Sequence, residues 1–203
     1  MLKINLLLDL PLFYLLGIVP LFSCGEKKGE KMAKAEEVYM MARYKDKMDR
    51  PSPPARSETN IGMAKVSIDY SQPSVRGRKI WGGLEKYNKI WRTGANEANV
   101  LETTHPLLIN GDTVPAGKFG FFTIPAPNDW TVIINKGHDQ WGIYNYKESE
   151  DVLRLKVKPY KTNDITEKMT FRIDSTGKLS FAWEYLKFDL QIEPLPLNNL
   201  RGN

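Results

Sequence analysis

Apolar and polar residues alternate along much of the chain after residue 55, and this two-residue period predicts β-strands. The alternation is clearest in three stretches, at residues 64–70, 153–158 and 169–174. A strand with this pattern buries one face and leaves the other in water, as in antiparallel sheets. The fuller apolar run at residues 130–134 predicts a strand in the interior of a sheet.

The last apolar stretch changes phase near residue 184. Apolar residues occupy odd positions before that point and even positions after it: Leu179, Phe181, Trp183, Leu186, Phe188, Leu190 and Ile192. A continuous regular strand would turn its apolar face toward solvent at the change. The pattern therefore predicts a β-bulge or a tight turn at Glu184 and Tyr185.

Turn-forming residues separate the predicted strands, for example at residues 114–119 and 174–177. Roughly eight to ten short strands without a long helix between them favour an all-β fold, either an antiparallel β-sandwich or a jelly-roll-like domain. We place this domain at residues 55–197, with residues 198–203 as a tail. A domain of roughly 150 residues buries enough surface to be stable without disulfides.

The N-terminal residues differ from the rest of the chain. Lys3 is followed by an apolar run at residues 12–22 and then by Ser23 and Cys24. This is the pattern of a signal peptide, and the run is shorter than the roughly 20 residues of a transmembrane helix. Residues 21–24 (LFSC) resemble the bacterial lipobox, in which the cysteine is diacylated and becomes the first mature residue.

This resemblance predicts a lipoprotein signal peptide at residues 1–23 and a lipid anchor at Cys24. The protein would then be held at the outer membrane or elsewhere in the cell envelope, facing the periplasm or the surface. The alternative is an ordinary cleaved signal peptide or membrane anchor with an incidental cysteine. Residues 24–54 carry charges of both signs, and we interpret them as a tether that is either solvated or partly a short amphipathic helix.

The composition limits the kinds of site that the chain can build. The 203 residues include 29 Lys and Arg, 24 Asp and Glu, 2 His and 1 Cys, which gives a net charge of +5. One cysteine excludes a disulfide framework and a Cys-rich zinc site, and two histidines leave little material for a His-based metal centre. The chain also lacks H-E-x-x-H, G-x-S-x-G and P-loop motifs. We therefore expect no metal and no cofactor.

Basic residues cluster at residues 76–92, where Arg76, Arg78 and Lys79 form a candidate interaction patch close to aromatic residues. Such a combination can bind nucleic acid. Behind a signal peptide we expect no nucleic-acid partner, and acidic sugars, anionic lipid headgroups or an acidic protein suit the compartment better. The simpler alternative is a solvated loop.

The densest polar motif lies at residues 91–97. Arg92 can bind a carboxylate or a phosphate, and Asn96 and Glu97 can hydrogen-bond a polyol. The structural alternative is that Asn96 caps a turn while Arg92 pairs with Glu97 or Asp69.

A second candidate segment, residues 138–146, contains Trp141 and Tyr144, whose aromatic faces would suit sugar stacking. In strand-rich domains such residues also serve as core or rim packing. His138 and Asp139 are adjacent, so on a strand they would point to opposite faces. A catalytic dyad made of these two alone would need a loop to bring them together.

Several uncommon motifs appear in a fixed order: residues 69–78 (DYSQPSVRGR), 90–98 (IWRTGANEA), 115–118 (PAGK), 130–133 (WTVI), 141–142 (WG) and 151–154 (DVLR). In content and order they resemble the DUF2911 family. Gln72 is a departure, because many relatives have a basic residue there. Members are typically secreted or lipid-anchored proteins of Bacteroidota, so the resemblance implies a location and a domain extent. It implies no chemistry, because the family has no known activity.

These observations lead to one main hypothesis and two alternatives. We expect a lipid-anchored β-sandwich of the cell envelope that binds a glycan or a protein partner without catalysing a reaction. Its site would be built from Arg92, Asn96, Glu97, Trp141 and Tyr144. The first alternative is a hydrolase of envelope glycans or another polymer, with Glu97 or Asp139 as acid or base. The second is a structural lipoprotein of an outer-membrane assembly, with residues 76–92 as its interface.

Overall fold

The computed structural model describes residues 46–195 and, before them, residues 30, 32–34, 37, 38 and 41. The chain divides into two compact units, residues 1–44 and 45–203. In the first unit the described residues are helical and exposed. No helix within the described ranges is long and apolar enough to cross a membrane. The predicted signal peptide, Cys24 and the predicted tail at 198–203 lie outside the described residues.

The described part of the second unit contains ten β-strands and a short 3-10 helix at Glu148–Glu150. The strands are β1 (Pro54–Ile61), β2 (Ala64–Ser71), β3 (Asn99–Thr103), β4 (Leu107–Ile109), β5 (Asp112–Val114), β6 (Gly117–Ile124), β7 (Trp130–Asn135), β8 (Asp151–Val157), β9 (Tyr160–Ile173) and β10 (Lys178–Pro194).

The strands form two sheets, and every pair of neighbouring strands is antiparallel. The larger sheet has the order β1-β2-β3-β6-β7-β8, and the smaller has the order β5-β4-β10-β9. The predicted all-β sandwich is therefore confirmed. The apolar run at 130–134 belongs to β7, which lies between β6 and β8 and is buried along its whole length.

The inward faces of the two sheets share one apolar core that contains a cluster of aromatic rings. Trp91 stacks on Trp183 with the ring centres 5.8 Å apart, and Trp81 meets Trp130 edge-on at 4.6 Å. All four indoles are at most 7% exposed. Aromatic pairs of this kind add about 0.5–1.5 kcal/mol beyond the burial of their area. The cluster therefore joins the two sheets to the segment that contains Trp81 and Trp91.

A smaller apolar cluster lies on the outer face of the larger sheet. Phe122 of β6 and Ile133 of β7 point away from the main core, because their neighbours along each strand point into it. Both are fully buried, and Ile143 and Tyr146 pack against their cluster. The connection between β7 and β8 therefore folds back over the outer face of the sheet.

The phase change near residue 184 is a β-bulge, as the sequence pattern predicted. The register between β9 and β10 shifts on both sides of Glu184, and Glu184 has a φ of 55°. This left-handed conformation costs a non-glycine residue about 1–2 kcal/mol. The bulge lets the apolar residues before and after it face the same core.

Substitution of Glu184 by glycine tests the strain at the bulge. We expect Glu184→Gly to leave the free energy of unfolding unchanged or to raise it by up to about 1 kcal/mol, because glycine adopts positive φ without a steric penalty. Chemical denaturation measures the change. The control Ser180→Gly, on a regular part of β10, should lose about 0.5–1 kcal/mol. Equal losses at both positions would contradict a strained bulge.

Candidate functional site

An open cleft of about 670 Å³ lies on the outer face of the larger sheet. Its base is formed by outward-facing residues of three neighbouring strands: Asp69 of β2, Val100 and Glu102 of β3, and Lys118 of β6. The residues beside them in sequence, such as Ile68 and Leu101, belong to the core. The same alternation that builds the sandwich therefore brings polar side chains together in the cleft.

One wall of the cleft is the connection between β7 and β8. Gln140 holds this loop in shape, because its side-chain nitrogen donates to the carbonyl of Gly137 at 2.6 Å and its side-chain oxygen accepts from the amide of Asn145 at 2.9 Å. The loop places His138, Asp139 and Trp141 in the lining. His138 and Asp139 thus reach one cleft, as adjacent residues on a strand could not.

The end of the same loop is fastened to β8 by a polar network. The hydroxyl of Tyr146 lies 3.0 Å from both carboxylate oxygens of Asp151, and Arg154 donates to Asp151 and to that hydroxyl. Burial and the hydrogen bond to Asp151 raise the pKa of Tyr146 to about 12, so the tyrosine stays protonated. Asn135 adds a 2.7 Å hydrogen bond to Asp151. These bonds fix the position of the wall.

The wall is also joined to the motif at residues 91–97. The amide of Ala98 donates to the carbonyl of Gln140 at 2.9 Å, and the amide of Gly142 donates to the carbonyl of Asn96 at 3.0 Å. The resulting antiparallel bridge pairs Glu97 with Trp141. Two segments that are far apart in the sequence are thereby held side by side in the cleft.

Buried hydrogen bonds fix the conformation of the motif at residues 91–97. Thr93 is fully buried with a φ of 57°, and its hydroxyl donates to the carbonyl of Trp91 and lies 3.1 Å from the hydroxyl of Thr123. Asn99 donates to the carbonyl of Thr93 at 2.7 Å. A methyl group at Gly94 would lie 2.9 Å from the Asn99 side chain, so a larger residue there would displace Asn99 from its hydrogen bond to Thr93. The motif is a rigid support for the residues that follow it.

Arg50 is the main ionic partner of Glu97. Its guanidinium donates to both carboxylate oxygens, at 2.9 and 3.1 Å, and Lys47 lies 3.7 Å from the same carboxylate. Burial alone would raise the pKa of Glu97, but the hydrogen bond and charge of Arg50, with the charge of Lys47, lower it below the usual range. Arg50 also lies over the ring of Trp141, 5.7 Å from its centre.

Charges of opposite sign are nearly balanced in the cleft. Four carboxylates line it, those of Asp69, Glu97, Glu102 and Asp139, together with three permanent cations, Lys47, Arg50 and Lys118. Lys118 pairs with Glu102 at 3.5 Å, and Asp69 pairs with Arg56, which donates to it at 2.6 Å. Three of the four carboxylates therefore already form an ion pair with a cation of the protein, which compensates their charge before any ligand binds.

The predicted site residues divide into those that line the cleft and those that do not. Glu97 and Trp141 line it, and Trp141 is 50% exposed. Tyr144 belongs to the same loop and is 81% exposed but lies outside the lining. Asn96 has a φ of 61°, and its side chain donates to the carbonyl of Ser52 and to the hydroxyl of Ser71. Asn96 therefore has a structural role, because these bonds hold the loop in place.

Arg92 lies outside the cleft and pairs with neither Glu97 nor Asp69. Its buried Nε has no hydrogen-bond partner among the described residues. The charge of Arg92 instead affects Glu85. Burial raises the pKa of Glu85 to about 7, and the positive charges of Arg92 and Arg78 oppose this rise. The arginine of the motif therefore does not line the cleft, although its guanidinium lies close to Gly142 of the neighbouring loop.

The basic patch is exposed at all three positions, Arg76, Arg78 and Lys79. Arg78 uses its guanidinium to hold the local turn, because it donates to the carbonyls of Val75 and Ser74. Within residues 46–195 none of the three side chains forms an ion pair. The patch is a separate surface from the cleft, since none of its residues lines the cleft.

Sequence reasoning missed several residues of the cleft. Arg50 and Lys47 lie in the segment that we interpreted as a tether, and nothing in its mixed charge marks them as contacts. Glu102 and Lys118 could have been found as polar positions on outward faces of strands, which the alternation does mark. Within the described ranges no group of three or more His, Cys, Asp or Glu side chains is placed to hold a metal ion.

These features define an antiparallel β-sandwich with an open polar cleft on the outer face of its larger sheet. A family model described as "Protein of unknown function (DUF2911)" matches residues 52–192, and the chain belongs to this family. The match covers β1 to β9 completely and β10 as far as Ile192. No curated protein and no solved structure matches the chain.

The ion pair of Glu97 predicts a pH-dependent contribution to stability. The pKa of Glu97 is lower in the folded protein than in the unfolded chain. The ion pair therefore stabilises the fold at pH values above the unfolded-state pKa, and this stabilisation is lost as the pH falls through the folded-state pKa. The pair is partly exposed, so we expect Glu97→Gln to lower Tm by about 1–3 °C near neutral pH. The difference should shrink as the pH falls through the folded-state pKa of Glu97 and vanish once this carboxyl is protonated in both the folded and the unfolded protein.

Thermal unfolding of the wild type and the variant across this pH range measures the effect. Glu193→Gln is the control, because Glu193 is an exposed residue of β10 and has no ion pair within the described ranges. A loss at Glu97 that persists unchanged in acid would show that the carboxylate charge is not responsible.

Proposed function

We propose that this protein is a lipid-anchored binding protein of the cell envelope whose cleft holds a neutral glycan. The observation that carries the proposal is the half-exposed ring of Trp141, which lies at the edge of a cleft lined by paired charges. An exposed indole in a structured loop has a large apolar face, and a sugar ring can stack on it. The polar groups around it supply hydrogen bonds to hydroxyl groups.

The charge balance of the cleft favours a neutral ligand. An anionic ligand would meet four carboxylates, and a cationic ligand would meet three cations, so neither gains a strong net attraction. Glycan hydroxyl groups both donate and accept hydrogen bonds, and they can approach Glu102, Asp139 or Lys118 without separating an ion pair. The volume of about 670 Å³ lies within the range of ligand-binding clefts.

Hydrolysis is less well supported than binding. A glycosidase needs a protonated carboxylic acid to protonate the leaving oxygen. Arg50 and Lys47 hold the pKa of Glu97 low, so this carboxylate stays ionised and is unsuited to that role. A role in an outer-membrane assembly would use the basic patch at Arg76, Arg78 and Lys79, which the glycan proposal leaves free.

Removal of the Trp141 ring tests the glycan proposal. We expect the full chain, solubilised from membranes, to bind a subset of neutral glycans on an array, and Trp141→Ala to weaken that binding at least about tenfold because a stacking face is lost. Met63→Ala is the control, since Met63 is exposed in the turn between β1 and β2, away from the cleft. Equal binding by both variants, or binding confined to acidic glycans, would refute the proposal.

Substitution of Cys24 tests the anchor. We expect Cys24→Ala to lose incorporation of a labelled fatty acid and to leave the membrane fraction, because the acyl chains hold the protein at the bilayer. Ser23→Ala, which keeps a small residue before the cysteine, should remain acylated and membrane-bound. If the Cys24→Ala protein stays in the membrane fraction and the wild type carries no acyl label, the anchor proposal is wrong.

A further inference from the structure

A second pocket, of about 370 Å³, lies where the bulge of β10 meets the segment around Trp81. It shares no lining residue with the cleft. Three aromatic residues line it: Trp81, which is 7% exposed, Tyr87, and Tyr185, which is 45% exposed. Trp81 is buried, Tyr87 is partly buried and Tyr185 is exposed, so aromatic rings line the pocket together with polar side chains.

Most polar side chains of this pocket have no partner in the described part of the chain; Thr162 is the exception, because its hydroxyl donates to the carbonyl of Asp164. Lys161 and Glu184 form neither an ion pair nor a side-chain hydrogen bond there, and the hydroxyl groups of Tyr87 and Tyr185 are likewise unpaired. The indole nitrogen of Trp81 is buried and has no acceptor. A buried donor without an acceptor costs free energy. This set of unpaired groups distinguishes the pocket from the cleft, where most charges are compensated.

The bulge is what places these groups together. Glu184 and Tyr185 are at the irregular position of β10, and the positive φ of Glu184 breaks the regular alternation of the strand. Both residues consequently line one pocket, although neighbours on a regular strand would face opposite sides. Bulges are common next to binding sites because they redirect side chains in this way.

The chemistry of the pocket points to a sugar ring. One cation and one carboxylate balance each other, so the pocket does not require a charged ligand. Its groups include donors, an acceptor and two tyrosine hydroxyls that act as both, set between aromatic surfaces. A sugar ring offers hydroxyl groups of both kinds on its rim and C–H groups on its faces, which match these two features.

We infer that the pocket lined by Trp81, Tyr87, Lys161, Glu184 and Tyr185 is a second carbohydrate site that holds one neutral sugar ring. The ring stacks on Tyr185, and its hydroxyl groups bond to Glu184 and Lys161. This inference does not depend on the cleft, because either site can bind without the other. If both bind, the protein engages a glycan at two separate places.

Indole N–H signals in NMR spectra separate the two sites. The full chain, 15N-labelled and held in a detergent without a sugar headgroup, is titrated with methyl glucoside, methyl galactoside and N-acetylglucosamine. We expect a saturable shift of the Trp81 indole signal, identified through its own backbone resonances, with at least one sugar. Trp141 reports on the cleft in the same spectra.

Two tyrosine variants make the titration specific. Tyr185→Ala should weaken the binding that moves the Trp81 signal by about tenfold, because the stacking face is lost. Tyr160→Ala should leave it unchanged: Tyr160 is 46% exposed on β9 but does not line the pocket.

Three outcomes would overturn the second site: no Trp81 shift with any of the sugars, a shift that Tyr185→Ala leaves intact, or a shift with free phenylalanine and none with sugars. A response of Trp141 alone would leave the proposed function standing and reject the second site. A response of Trp81 alone that Tyr185→Ala weakens would support the second site and reject the cleft.

Discussion

The burial of two tryptophans between the sheets determines where both sites lie. Trp81 and Trp91 belong to the long connection between β2 and β3, which has no regular strand of its own. Their rings pack into the core beside Trp130 and Trp183, so the connection is fixed at two points. The indole of Trp91 also donates to the carbonyl of Gly94, and its backbone pairs with Thr123. The burial of these two rings in the core therefore fixes the position of the polar residues that follow them in the connection.

From these two points the connection reaches the two sites in different ways. After Trp91 it forms the rigid motif that ends beside Trp141 in the cleft. Around Trp81 it forms one side of the pocket at the bulge of β10. Most charges of the cleft are compensated, whereas the pocket has unpaired groups beside the exposed ring of Tyr185 and the partly buried ring of Tyr87. A ligand in the cleft meets groups that already form ion pairs, but a ligand in the pocket can pair with groups that have no partner in the described part of the chain.

Much of the fold could be predicted from the sequence because a sandwich obeys a local rule. Alternation marks β2, β8 and the end of β9, and the phase change marks the bulge at Glu184. The site was harder to predict, since it depends on which loops meet. Glu97 and Trp141 were identified by residue type, but the partner of Glu97 is Arg50, which comes from the preceding segment. Arg92 has the right chemistry to bind a ligand but does not line the cleft, and a loop has no sequence periodicity from which the direction of its side chains could be predicted.

Backbone strain gives a further, independent link between the fold and its candidate sites. Six non-glycine residues in the described ranges have positive φ, and three of them are asparagines, which tolerate this conformation. The other three are Arg76, Thr93 and Glu184. Each belongs to a different feature: the basic patch, the support of the cleft and the second pocket.

Strained residues of this kind cost about 1–3 kcal/mol each and persist where the surrounding structure enforces them. At Thr93 the enforcing contacts are visible as hydrogen bonds from the core, and at Glu184 they are the two register shifts that keep β10 packed. The sandwich thus maintains unfavourable backbone conformations at the places where its surface departs from a regular sheet.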